Sequence, residues 1–146
     1  MKKIFITALV LLIGCIGFAL ELPKDFNIYD YVDKPYYGTP YEEALKKELP
    51  FLLIFAKPSN IVVLAKLFPI IEMVYDEFQG QYNYCIINAK INDNEDLVKF
   101  YAPKKYPALY IIDTQNRTYT LIEKKYYNKR DIKEILTRFK DGTLFD

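Results

Sequence analysis

Residues 94–113 read NEDLVKFYAPKKYPALYIID, a polar, acid-rich run that gives way to an apolar one. The first part, NEDLVKFYA, predicts a short helix with acids in its first turn, where a helix N-terminus favours negative charge. YPALYIID (106–113) predicts a strand opening on Pro107. Taken alone, Pro107 is a strand-edge proline, at a place where no ladder N–H is required.

Working outward, DTQNR turns tightly into TYTLIEKKY, which gives a hairpin. NKRDIKEILTRFKDG then puts Ile132, Ile135, Leu136 and Phe139 on one helical face, with Gly142 as the stop. Upstream, YNYCIINAK (82–90) is rich in β-branched and aromatic side chains and predicts a core strand. FLLIFA (51–56) is a short apolar run suited to another. Between these two, KPSN is a turn with Ser59 or Asn60 as the helix cap. A helix follows over about residues 61–78, stopped by Gly80 and bent by Pro69, which removes one hydrogen bond. TPYEEALKKE predicts a helix with Thr39 as cap, Pro40 in first position and Glu42 completing a capping box. Residues 20–38 form a lead-in with one short strand expected around Phe26 to Val32. Two parallel strand–helix units, an antiparallel hairpin and a closing helix make an α/β sandwich, one domain over residues 39–142.

The chain has 146 residues, 51% hydrophobic and 27% charged, a composition that fits an ordinary globular protein and argues against wholesale disorder. Fourteen tyrosines and ten phenylalanines suit half-buried strands and contact surfaces. There is no histidine, which removes the commonest general base and the commonest metal ligand together. Two cysteines, Cys15 and Cys85, cannot build a structural zinc site. INDNED (91–96) comes nearest to an acidic cation loop, and its acids read better as a helix start. No metal and no cofactor is therefore expected. A formal charge of +1 without a basic run argues against a nucleic-acid partner.

The N-terminus reads MKKIFITALVLLIGCIGFALELPKDF. Lys2 and Lys3 before an apolar run to Leu20 describe a secretory signal peptide over residues 1–19. Two processing routes compete. Small residues in GFA favour a cut after Ala19, whereas LIGC (12–15) resembles a bacterial lipobox that would remove residues 1–14 and lipidate Cys15. Either route places the folded part outside the cytoplasm, in the periplasm or on the envelope. Membrane attachment would come only from an uncleaved signal or a lipid anchor. After a cut at Ala19 only Cys85 remains, and no internal disulfide can form.

The stretch 94–113 resembles the thioredoxin family over roughly residues 39–141. Asn94, Leu97, Tyr101, Pro107 and Leu109 fall on that family's pattern without a gap. The resemblance implies a thioredoxin-like fold, a central mixed β-sheet flanked by helices, with Pro107 as the family's cis-proline beside its active-site corner. LIFAKPSNIVVLAKLFPII resembles the family's strand, corner and proline-kinked helix, with Pro69 at the kink. The chemistry departs from the pattern. Counted from Phe55, the family's two cysteines would fall on Asn60 and Val63; counted from Pro69, on Ile61 and Leu64. Neither register meets a sulfur. The family's tryptophan is missing, and its buried acid would be Ile54. The first thiol of such a pair supplies the attacking thiolate and the second resolves the mixed disulfide, so ordinary dithiol exchange has no atoms to run on.

Three readings follow. The first is an exported module without catalytic cysteines that binds a protein or extended peptide in the envelope. Its candidate surface comprises Lys57, Ser59, Asn60, Ile61, Lys105, Tyr106, Pro107 and Ala108, with Lys66 and Lys104 nearby. The second is single-thiol exchange through Cys85, which requires that thiol to be exposed and acidified. The third is an accessory subunit of an envelope complex, docking through exposed tyrosines such as Tyr36, Tyr37, Tyr126 and Tyr127.

Overall fold

The computed structural model describes residues 34–57 and 61–144, without the side chains of 61–64 and 66. The elements are β1 (Tyr36–Gly38), α1 (Tyr41–Lys46), β2 (Phe51–Ala56), α2 (Ile61–Glu77), β3 (Asn83–Asn88), α3 (Glu95–Tyr101), β4 (Ala108–Asp113), β5 (Thr118–Ile122) and α4 (Lys129–Asp141). Single 3-10 turns at Asn92–Asn94 and Lys124–Tyr126 precede α3 and α4. The strands form one mixed sheet in the order β1-β3-β2-β4-β5. β2 and β3 run parallel, from Phe51 opposite Asn83 to Ala56 opposite Asn88. The other pairs, β1 with β3, β2 with β4 and β4 with β5, are antiparallel. This is the α/β arrangement expected from the sequence.

β2 and β3 are buried at every position, as strands covered on both faces must be. Their side chains alternate between two cores. Leu52, Ile54, Tyr84, Ile86, Leu109 and Ile111 pack with Leu67, Ile70 and Met73 of α2 and Ile132 and Leu136 of α4. Phe51, Leu53, Phe55, Cys85, Ile87 and Tyr110 pack on the other face with Ala44 of α1 and Tyr101 of α3. That second core is aromatic. Tyr101 lies in ring contact with Phe55, Tyr110 and Tyr119, and its hydroxyl meets that of Tyr41 at 2.8 Å.

Asn128 caps α4, its side chain accepting the Asp131 N–H at 2.9 Å, and Gly142 closes it in the left-handed conformation. Pro69 sits inside α2 and Gly80 follows its end at φ +80°, both as read from the sequence.

The start of α1 departs from the expectation. Pro40 takes the cap position and no side chain caps the helix. Thr39 is buried, and its N–H donates to the Tyr84 carbonyl at 2.9 Å. The Thr39–Glu42 capping box does not form, because Thr39 is used to hold the end of β1 against β3. β1 itself was not expected, and the strand expected at Phe26–Val32 lies outside the described residues. Two buried asparagines anchor the segment leading into β1. Asn94 Nδ2 donates to the carbonyls of Pro35 and Asn88 at 2.7 and 2.9 Å, and Asn88 Nδ2 donates to that of Lys34 at 3.1 Å.

Candidate functional site

The antiparallel register sets Phe55 of β2 opposite Ala108 of β4. It thereby brings the end of β2, where Lys57 leaves the sheet, to the segment that enters β4. The Tyr106–Pro107 peptide bond is cis. Pro107 and Ala108 are buried, Tyr106 is half-buried, and Lys104 and Lys105 are exposed.

Lys57 Nζ stands 4.3 Å from the centre of the Tyr106 ring. An ammonium over an aromatic face is attracted by the ring's quadrupole, by about 0.5–1 kcal/mol when solvent reaches it. The Tyr106 phenol is neutral at physiological pH, and burial pushes its hydroxyl further up from the ordinary range. Lys57, Lys105, Tyr106, Pro107 and Ala108 of the candidate surface therefore converge. Ser59 and Asn60 lie outside the described residues. Ile61 begins α2, and neither its side chain nor that of Lys66 is described.

The arrangement offers a cationic rim, an aromatic ring and the backbone at the mouth of β4. Among the described residues no three acidic, cysteine or histidine groups converge on a point where a metal ion could sit. The sequence contains no cysteine anywhere from Lys57 to Lys66.

Cys85 is not part of this corner. It lies mid-strand between Gly38 and Leu53 of the neighbouring strands, fully buried in the aromatic core. Desolvation pushes its thiol well above the ordinary cysteine range. The exposure and acidification that single-thiol exchange requires are both absent in this fold. The tyrosine surface expected for an accessory subunit also changes. Tyr36 and Tyr126 are exposed, but Tyr37 is 7% exposed and sits in the aliphatic core. Tyr127 is half-buried, with its hydroxyl accepting the Leu109 N–H at 3.0 Å. The sequence placed both at the surface because tyrosine serves core and surface alike.

The sequence set Lys57 and Tyr106 on one candidate surface through the family resemblance, but the ammonium–ring contact, made by the β2–β4 register, was not read from it. Tyr127 completes the backbone bonding at the β4 entrance from beyond β5, and nothing local to it signals that task.

A thioredoxin-like domain family matches residues 36–138. The sequence matches no curated protein. Among solved structures, the crystal structure of ERdj5 form II is similar at 18% identity and a TM-score of 0.54, over 70% of this chain and 13% of that one. The crystal structure of full-length ERdj5 gives 18% identity and a TM-score of 0.53, over 70% of this chain and 14% of that one. This chain thus spans a small part of those proteins, and the likeness at this identity is one of fold. The matched span runs from β1 into α4 and includes the cis proline, and the chain belongs to the thioredoxin-like family.

Proposed function

We propose that this chain is an exported thioredoxin-like module that holds a protein or extended peptide segment against the Tyr106–Pro107 corner without dithiol chemistry. The observation that carries the reading is the corner itself, with a cis Tyr106–Pro107 bond and Lys57 over the Tyr106 ring. An extended segment laid there would gain affinity from main-chain hydrogen bonds and selectivity from the side chains around them. Lys57, Lys104 and Lys105 would favour acidic side chains in that segment and speed its encounter. The lack of cysteine around the start of α2 supports binding over exchange. The apolar leader with Lys2 and Lys3 supports export to the periplasm or envelope.

Two measurements test this. Fluorescence anisotropy with a labelled, unstructured acidic peptide should show binding to the full chain that weakens at least about tenfold in Tyr106→Ala and in Lys57→Glu. Binding that ignores both substitutions would move the site elsewhere, and no binding would remove the reading. Thiol–disulfide exchange on a model protein disulfide should run at the uncatalysed rate with wild type and Cys85→Ser alike. A rate that depends on Cys85 would make this a single-thiol redox protein instead.

A further inference from the structure

Among the described residues β5 is an edge strand, and its sequence does nothing to guard that edge. Exposed edges commonly carry a lysine, a proline or a bulge that discourages pairing with another chain. Thr118–Ile122 reads TYTLI, four good strand formers and a leucine, without a charge. Tyr119 and Leu121 are 47% and 56% exposed, and their partners in the β4 ladder, Ile112 and Tyr110, belong to the aromatic core. Phe100 of α3, 67% exposed, extends the patch with its ring 6.0 Å from that of Tyr119.

The backbone of the edge faces outward at the same residues. The Ala56 carbonyl accepts the Ala89 N–H on the β3 side, so by alternation Ile54 also turns its groups toward β3, and Leu109, opposite Ile54 and Ile122, turns its groups toward β5. By alternation along an antiparallel pair, Thr118, Thr120 and Ile122 turn their groups toward β4, and Tyr119 and Leu121 turn theirs away from the sheet.

We infer that β5 pairs antiparallel with β5 of a second copy of this chain, about a two-fold axis at Thr120. That register matches the outward groups of Tyr119 with those of Leu121 in the other copy, and sets an aromatic beside an aliphatic side chain on one face. It also sets Arg117, just before the strand, opposite Glu123, just after it, at both ends of the pair. A slip of two residues either way breaks both charge pairs, so the charges select the register. The contact is isologous and closes on itself, which yields a dimer and not a filament. A single strand pair is small beside a standard interface of about 1,600 Å², so weak, reversible association is the expectation.

Sedimentation velocity on the full chain over a wide concentration range is the test, with circular dichroism checking that each variant folds. Wild type should pass reversibly from monomer to dimer. Leu121→Lys should weaken association at least about tenfold by placing a charge on the paired edge. Arg117→Glu should weaken it similarly by opposing like charges, and Arg117→Glu combined with Glu123→Arg should restore it. Three results would overturn the inference: a monomer at every concentration, a dimer indifferent to Leu121→Lys, or no recovery in the reversed pair.

Discussion

Cys85 and Gly38 face each other across the β1–β3 ladder, and each carries a testable constraint. Because Cys85 is fully buried with its thiol held protonated, iodoacetamide at mildly alkaline pH should leave it unmodified in the native protein. Mass mapping of its peptide should show full modification only after denaturant is added; rapid native labelling would contradict the burial. Gly38 has φ +89°, and a Cβ there would lie 2.6 Å from the Tyr84 carbonyl oxygen. Gly38→Ala should therefore cost about 1–3 kcal/mol in chemical denaturation, through left-handed strain and a collision with main chain. An unchanged midpoint would mean that β1 moves aside freely. The two residues differ in how far the sequence exposes them. Cys85 is legible as buried from its apolar flanks, whereas the demand on Gly38 comes from a strand that arrives much later in the chain.

At the scale of elements, the β4–β5 hairpin is held by one carboxylate. Asp113 accepts the N–H groups of Gln115 and Asn116 at 3.1 and 3.0 Å and the Asn116 side-chain amide at 2.8 Å. Burial pushes its carboxyl up, but these hydrogen bonds outweigh burial and hold it below the ordinary range. The folded state therefore binds the proton less readily than the unfolded state. The stabilisation is complete above the ordinary carboxylate range and disappears as pH falls through the lowered folded value. Asp113→Ala should cost about 0.5–1 kcal/mol at neutral pH, and the difference from wild type should shrink toward zero in acid, as read from urea midpoints at several pH values. A difference that persists unchanged in acid would assign the effect to packing instead. β2, β3, β4 and α2 were legible because each is an apolar run whose burial depends on its own residues. β1 was not, since three residues become a strand only when β3 is present to pair with them. TYTLIEKKY reads as one long strand, yet it turns at Lys124–Tyr126 and delivers the Tyr127 hydroxyl to Leu109.

In the molecule as a whole, α4 closes the aliphatic core and ties the end of the chain to its middle. Ile132 and Leu136 are fully buried, Tyr82 donates its hydroxyl to the Leu136 carbonyl at 2.7 Å, and Lys133 pairs with Glu77 at 2.6 Å. Leu136→Ala should cost about 2–5 kcal/mol. Unfolding should remain a single transition by far-UV and near-UV circular dichroism, because both cores share the same sheet. Separate transitions by the two probes would show that α4 can leave without the rest. The fold was legible at this scale because the 94–113 pattern is local, while the pairing of Lys57 with Tyr106 needed the register of β2 on β4. Of the positions that the resemblance assigns to sulfur, Ile61, Val63 and Leu64 lie on α2, outside every strand ladder. Pro107, by contrast, leads directly into a strand hydrogen-bonded on both sides. Changes of chemistry at the first set can therefore leave the registers of the sheet in place, while position 107 is tied to them.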